Sequence, residues 1–262
     1  AEEAIPVILD ILKNDDNDRL KLRALYFLDD VPDQRALPVI MEVLRTSNDD
    51  NLKLRALYVL EEMQSAEAVP VLIDLLKNEN NKNLKLRALY AIEEINDESA
   101  LPILLDIARN KQEDPNVRLR ALYAIEEMGN PEAAPVLIDI LQNDTDKHLK
   151  LRALYALEEF SDPDVYDQIR GLILHMVQNE QDENLRLRAM YLLEDMDTPE
   201  AVPILIEVVK KERNPNIKLR ALRALEDIPD KRAIDVVTDL LKRDENANVR
   251  MLAVRVLEEI GE

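Results

Sequence analysis

The heptapeptide LKLRALY stands at residues 20–26, 52–58, 84–90 and 149–155, with near copies VRLRALY at 117–123, LRLRAMY at 185–191 and IKLRALR at 217–223. Its arginines are Arg23, Arg55, Arg87, Arg120, Arg152, Arg188 and Arg220, at successive spacings of 32, 32, 33, 32, 36 and 32 residues. Self-similarity at this period means stacked supersecondary units, because one unit of this size cannot bury its own apolar face. The core of such an array grows along one axis, so the length of 262 residues does not translate into one or two globular cores.

Each period holds two helical patterns. The first, helix A, reads like SAEAVPVLIDLLKN (65–78), and the second, helix B, like NLKLRALYVLEEM (51–63). Polar turns such as ENNKN, and short breaks such as GNPE, separate them. Helix A carries a proline at Pro6, Pro38, Pro70, Pro102, Pro135 and Pro203. A first-turn N–H has no intrahelical partner, so proline belongs there at little cost. The expectation is eight helical pairs in a single continuous domain spanning 1–262, with units breaking near 31, 63, 95, 128, 160, 196 and 228. One unit departs from the pattern: SDPDVYDQIRGLILHMVQNEQDEN (161–184) has about four extra residues, an internal Gly171 and no proline at the helix-A position. Four residues are close to one turn, so the apolar face survives if the helix is simply longer.

Composition agrees with an almost wholly helical protein. The chain is 47% hydrophobic and 34% charged, with only 3 glycines and 3% aromatics. Cysteine is absent, which excludes disulfides, thiolate catalysis and cysteine-ligated metals. No apolar run approaches about 18 residues and no targeting signal is seen, so the expectation is a soluble protein with no membrane partner, cytoplasmic if expressed in a cell. The formal charge is −20. Such a surface repels phosphate backbones, which argues against nucleic acid and favours a basic or amphipathic partner.

The segment DPNVRLRALYAIEEMGNPEAAPVLIDILQND (114–144) resembles the HEAT-like repeat of the phycobilisome-lyase type, and the artificial alpha-Rep scaffolds built from such repeats. The resemblance covers essentially the whole chain. It implies an all-α fold, a right-handed α-solenoid of about eight HEAT-like helical hairpins, with helix B lining the concave surface. The chain departs from the family where it keeps arginine in place of alanine or a variable residue, and Asp29, Glu61, Glu93 and Glu126 in place of glycine. Near-identical units, absent cysteine and scarce glycine look like an engineered or consensus sequence.

On a helical wheel of the first helix B, Leu20, Ala24, Phe27, Leu28 and Val31 form the core arc. Lys21 and Leu25 fall on one flank, Arg23 and Asp30 on the other. Opposite the core lie Leu22, Tyr26 and Asp29. A face turned from the core should be polar, yet this one repeats an aliphatic residue, an aromatic and an acid. In the artificial scaffolds the positions matching Leu119, Arg120 and Tyr123 are varied to create binding sites. By that resemblance, the ladder Tyr26, Tyr58, Tyr90, Tyr123, Tyr155 and Tyr191 lines a groove. Leu22, Leu54, Leu86, Leu119, Leu151 and Leu187 flank it, together with Arg120 and Arg152. Asp29, Glu61, Glu93, Glu126, Glu158 and Glu194 stand at its edge. The expected occupant is an extended peptide or protein, basic or rich in proline and leucine. The competing expectation is a structural scaffold with no ligand, in which the tyrosines pack between repeats and the arginines pair with acids of the Asp30 type.

Nothing in the sequence asks for catalysis, a metal or a cofactor. The deoxyhypusine hydroxylases, also HEAT-like, hold two irons with repeated His-Glu pairs; here His148 precedes Leu149 and His175 precedes Met176, so the pattern is absent. Paired acids such as Glu61 and Glu62 diverge by 100° on a helix and do not converge on one point. The acidic stretch 14–20 lacks the glycine and terminal glutamate of a calcium loop. At the far end, Met251, Leu252 and Val254 have no following repeat to cover them, which suggests end-to-end self-association through 249–260.

Overall fold

The structure is a computed structural model and describes residues 2–160, 162–196 and 198–261. It is all-α, with no strand among the described residues. Eight A helices alternate with eight B helices. The A helices are α1 (Ile5–Asn14), α3 (Leu37–Thr46), α5 (Val69–Asn78), α7 (Leu101–Arg109), α9 (Ala134–Asn143), α11 (Pro163–Asn179), α13 (Val202–Lys211) and α15 (Ile234–Arg243). The B helices are α2 (Asp18–Asp30), α4 (Asp50–Met63), α6 (Lys82–Ile95), α8 (Pro115–Met128), α10 (Lys147–Glu159), α12 (Glu183–Asp195), α14 (Pro215–Asp227) and α16 (Ala247–Gly261). Two compact units divide the chain, one ending at Ile140 and the other starting at Leu141, so the border falls inside α9.

In the first unit the A helices pack in one layer and the B helices in another. Leu57, Leu89 and Leu122 of the B layer and Ile40, Leu72 and Leu104 of the A layer are fully buried between them. In the second unit Leu154, Leu193 and Leu222 meet Ile173 and Leu205 in the same way. Burying one such side chain contributes about 1.5–3 kcal/mol, and the repeat supplies that gain at every step.

The turns explain why the units begin and end where they do. Each B helix is capped by an Asn or Asp whose side chain accepts first-turn N–H groups: Asn17, Asp49, Asn81, Asp114, Asp146, Asp182, Asn214 and Asn246. Such a cap is worth about 1 kcal/mol. Three B helices of the first unit end on a left-handed residue: Gln64 (φ 46°), Asn96 (φ 50°) and Gly129 (φ 58°). Pro6, Pro38, Pro70, Pro102, Pro135 and Pro203 each sit second in their A helix, where the missing N–H is not felt.

A further device links neighbouring hairpins. At four turns the acid before the B-helix cap binds the turn with one oxygen and a cation of the preceding B helix with the other. Glu79 Oε1 accepts from the backbone N of Asn80 (2.9 Å) and Asn81 (3.0 Å), while its Oε2 takes Lys53 Nζ at 3.0 Å. Lys85–Glu113, Arg186–Glu212 and Lys218–Asp244 repeat the bridge.

Three details differ from the sequence reading. Leu25, placed on a flank by the wheel, is fully buried, because the flank of one B helix is the contact surface for the next; Leu20, placed in the core, is 40% exposed. The longer unit does have a helix-A proline. Its extra turn is added at the N-terminal end of α11, which spans 17 residues, so Asp162 becomes the cap and Pro163 the first residue. Leu252 is buried at 6% exposure, while Met251 (61%) and Val254 (39%) stand in solvent.

Candidate functional site

The tyrosine ladder lies on the B helices, one ring per repeat. Tyr26, Tyr58 and Tyr90 are 44%, 36% and 40% exposed, and Tyr123, Tyr155 and Tyr191 are half-buried. The rings of Tyr26, Tyr58, Tyr90, Tyr155 and Tyr191 are neither free nor covered: the arginine of the next repeat lies over each. In the first unit the guanidinium carbon of Arg55 lies 4.0 Å from the Tyr26 centroid, Arg87 3.5 Å from Tyr58, and Arg120 3.5 Å from Tyr90. Each arginine also stands 5.6 Å from the tyrosine of its own helix, so it is wedged between two rungs. The second unit repeats the arrangement, with Arg188 3.8 Å over Tyr155 and Arg220 3.4 Å over Tyr191. A cation over an aromatic face is attracted by the ring quadrupole, and arginine can stack while keeping its in-plane donors.

Those donors meet the acids. Arg55 pairs with Asp29, Arg87 with Glu61, Arg120 with Glu93, Arg188 with Glu158 and Arg220 with Glu194. The partner is therefore the acid on the tyrosine face, three residues after each ring, and not the Asp30 type that the wheel placed beside the arginine. Arg220 Nε lies 2.8 Å from Glu194 Oε2, yet the angle is too bent for a hydrogen bond. The Nε atoms of Arg55, Arg87, Arg120 and Arg188 are likewise buried without an acceptor, over the tyrosine faces. Burial pushes the Glu61 and Glu194 carboxyls up despite the arginines beside them, and burial lowers Arg120.

Among the anticipated groove residues, Leu54, Leu86, Leu119, Leu151 and Leu187 are half-buried beside the rings, as is Leu22. Between α6 and α8 a cleft of 620 Å³ is lined by Leu86, Leu119, Tyr90 and Tyr123, with Lys82, Asn116 and Arg120 at its ends. Glu93 and Glu158 do not stand free at the groove edge, because arginines occupy them. Arg152 lies 5.0 Å from the Tyr155 centroid. The sequence reading gave a second row no part in the groove: Asp30, Glu62, Glu94, Glu127, Glu159, Asp195 and Asp227, one residue beyond the acids of the tyrosine face, are all exposed. The doubled acid at the end of each heptapeptide unit was the signal for it.

No group of three or more His, Cys, Asp or Glu placed to hold a metal ion occurs among the described residues. No helix among them is long and apolar enough to cross a membrane.

Paired helices stacked as A and B layers, with a repeated side-chain ladder on the B layer, define an α-solenoid. A family profile described as HEAT repeats matches residues 5–91, 37–114, 69–158, 111–176 and 169–258. The chain belongs to the HEAT-repeat family, whose members typically act as protein-interaction scaffolds. Solved structures with the same fold include a Kap121p mutant (TM-score 0.65, 14% identity, 99% of this chain and 33% of that one). Importin beta matches with TM-score 0.61, 11% identity and coverage of 99% and 41%. The YibA protein of Escherichia coli matches with TM-score 0.61, 16% identity and coverage of 97% and 91%. At these identities the likeness is one of fold. No curated protein sequence gives a significant match.

Proposed function

We propose that the protein is a non-enzymatic binder that holds an extended, basic peptide or protein segment along the B-helix ladder. The observation that carries this reading is the exposure of Tyr26, Tyr58 and Tyr90. Large rings held at fixed spacing by stacked arginines offer contact area at little entropy cost. Packed helices lie about 8–10 Å apart, and a polyproline-II strand advances about 3.1 Å per residue. Three residues of ligand therefore match one repeat. An apolar ligand side chain, Pro or Leu, enters the cleft between Tyr90 and Tyr123. The cationic residue of each triplet meets the exposed row of Glu62 and Glu94. The near identity of the repeats fits a consensus or engineered origin.

Titration of Lys-containing, Pro- or Leu-rich tripeptide repeats tests the proposal. Affinity should rise with each added triplet, weaken with salt, and fall about tenfold or more in the Tyr90→Ala/Tyr123→Ala variant. Equal affinity for parent and variant, or none of the length dependence, overturns it. Growth of affinity beyond four triplets, the rungs of the first unit, would support a single continuous domain over 1–262.

A second reading, a structural scaffold with no ligand, is favoured by the same stack: every paired arginine serves the repeat-to-repeat contact. Association of copies through 249–260 would rest on Met251 and Val254, since Leu252 is buried.

A further inference from the structure

A cavity lies between A helices at three junctions, and at the first of them it is much larger. Between α3 and α5 it is bounded by Leu44, Lys53, Val71, Leu75 and Glu79 and measures 150 Å³. Between α11 and α13 the matching site, with Arg186 and Glu212, measures 140 Å³. Between α1 and α3 the same positions, 32 residues earlier, are Leu12, Lys21, Val39, Val43 and Ser47, and the cavity is 940 Å³. The cation is retained and the acid is replaced by serine.

The consequence is a site with unused donors. Lys53 has Glu79 and Arg186 has Glu212, whereas Lys21 makes no ion pair among the described residues. The Glu79 carboxylate accepts two turn N–H groups. The Ser47 hydroxyl accepts one, from Asp49 at 3.1 Å, and the Asn48 N–H that matches Asn80 has no acceptor among the described residues. The junction onto α11 carries Lys150 and Glu180 without the bridge, so the acid, not the bridge, is what the first junction alone lacks among these turns. The floor at the first junction is formed by the buried side chains of Leu12, Val39, Val43 and Leu52, with exposed Pro38 beside them. The rim is acidic. Asp49 is occupied by the α4 cap and Asp50 by Asn81 Nδ2 at 2.6 Å, which leaves Asp18 and Glu42 facing the opening, with Lys13 beside them.

We propose that this junction binds a small zwitterion, a free α-amino acid with an apolar side chain. Its carboxylate takes the place of the missing glutamate, accepting from Lys21 and from the Asn48 N–H. Its ammonium faces Asp18 and Glu42. Its side chain covers Leu12, Val39 and Val43. A simple carboxylate lacks the group that offsets the acidic rim, and a simple amine lacks the group that Lys21 requires.

The test is a heteronuclear NMR titration of the whole chain with L-leucine, hexanoate and isoamylamine. Leucine should give saturable shifts at the Ser47, Asn48 and Asp49 amides, and tighter binding than either half-ligand. Ser47→Glu should weaken leucine about tenfold or more by closing the bridge to Lys21, while melting at least as high as the parent, which shows that it folds. Lys21→Met should weaken leucine and hexanoate but not isoamylamine. The Tyr90→Ala/Tyr123→Ala variant should bind leucine like the parent, which separates this site from the ladder. Absence of saturable shifts with leucine, equal binding by Ser47→Glu, or isoamylamine binding as tightly as leucine would each overturn the proposal.

Discussion

Replacing Arg87 with alanine removes two interactions at once and tests whether the ladder is held together by its arginines. The guanidinium lies 3.5 Å over Tyr58 and pairs with Glu61, and the two side chains are 17% and 19% exposed. A partly desolvated cation–π contact is worth about 1–2 kcal/mol. The ion pair, better shielded than a surface pair, contributes about 1 kcal/mol. Its loss also leaves the Glu61 carboxylate without its counter-charge, which costs about 1 kcal/mol more while it stays ionised. The expected destabilisation of Arg87→Ala is therefore about 3–4 kcal/mol, and about 1 kcal/mol of it should return in Arg87→Ala/Glu61→Gln. Urea titration followed by circular dichroism reads the total. A repeat array can open in parts, so hydrogen exchange of the α4 and α6 amides should localise the loss to these two helices. A cycle with Tyr58→Leu should show a coupling of about 1 kcal/mol. A cost below about 0.5 kcal/mol, or a coupling below about 0.3 kcal/mol, would refute the reasoning and leave the arginines available to a ligand.

Two further outcomes follow from the ionisation of the turns and from the last helix. Glu79, Glu113 and Asp244 have lowered pKa values: the Asn81 backbone N–H leads for Glu79, and the bridging lysines Lys85 and Lys218 act on Glu113 and Asp244 against burial. A depressed carboxyl stabilises the fold above its unfolded pKa, about 4, and that stabilisation is lost as pH falls through the folded value. Glu61 and Glu194 act with the opposite sign, since their raised values make the charged form a cost that acid removes. Melting temperatures from pH 7 to pH 3 should therefore fall less steeply for Glu79→Gln than for the parent, and more steeply for Glu61→Gln. If copies associate through α16, light scattering at rising concentration should show mass growth that Met251→Glu abolishes, and a parent that stays at one mass would remove 249–260 as a contact surface.

The repeat made most of the fold legible. The 32-residue spacing located both helices of every unit, and the A-helix prolines marked their first turns, because both signals are local and recur. The positions that misled depend on how one helix sits against the next. A wheel gives the angle of Arg55 about its own axis, but no axial offset from α2, and that offset decides between Asp29 and Asp30. Leu25 failed for the same reason: its flank is exposed on an isolated helix and covered in a stack. The first-junction cavity was present in the sequence as a serine at the position of Glu79 and Glu212. It acquires meaning only once Lys53 is seen to reach forward into the following turn.

The charge left over after pairing narrows what the ladder can hold. In the repeats of Lys53, Lys85, Arg186 and Lys218 that cation bridges to the next turn, and the second arginine is stacked on tyrosine and matched by an acid. Both cations are thus used within the array. The acid that follows, Glu62 or Glu94 in the first unit and Asp195 in the second, makes no ion pair among the described residues. At helix spacings of about 8–10 Å these surplus acids stand within a Debye length of one another at 0.1 M salt, about 10 Å. They repel each other in the free protein. A ligand with one cation per repeat relieves that repulsion and gains its own attraction, whereas an acidic or polyphosphate chain adds to it. In the proposed reading, selection by charge therefore comes from the exposed acids beyond the paired ones, while the tyrosines supply contact area that any extended chain can use.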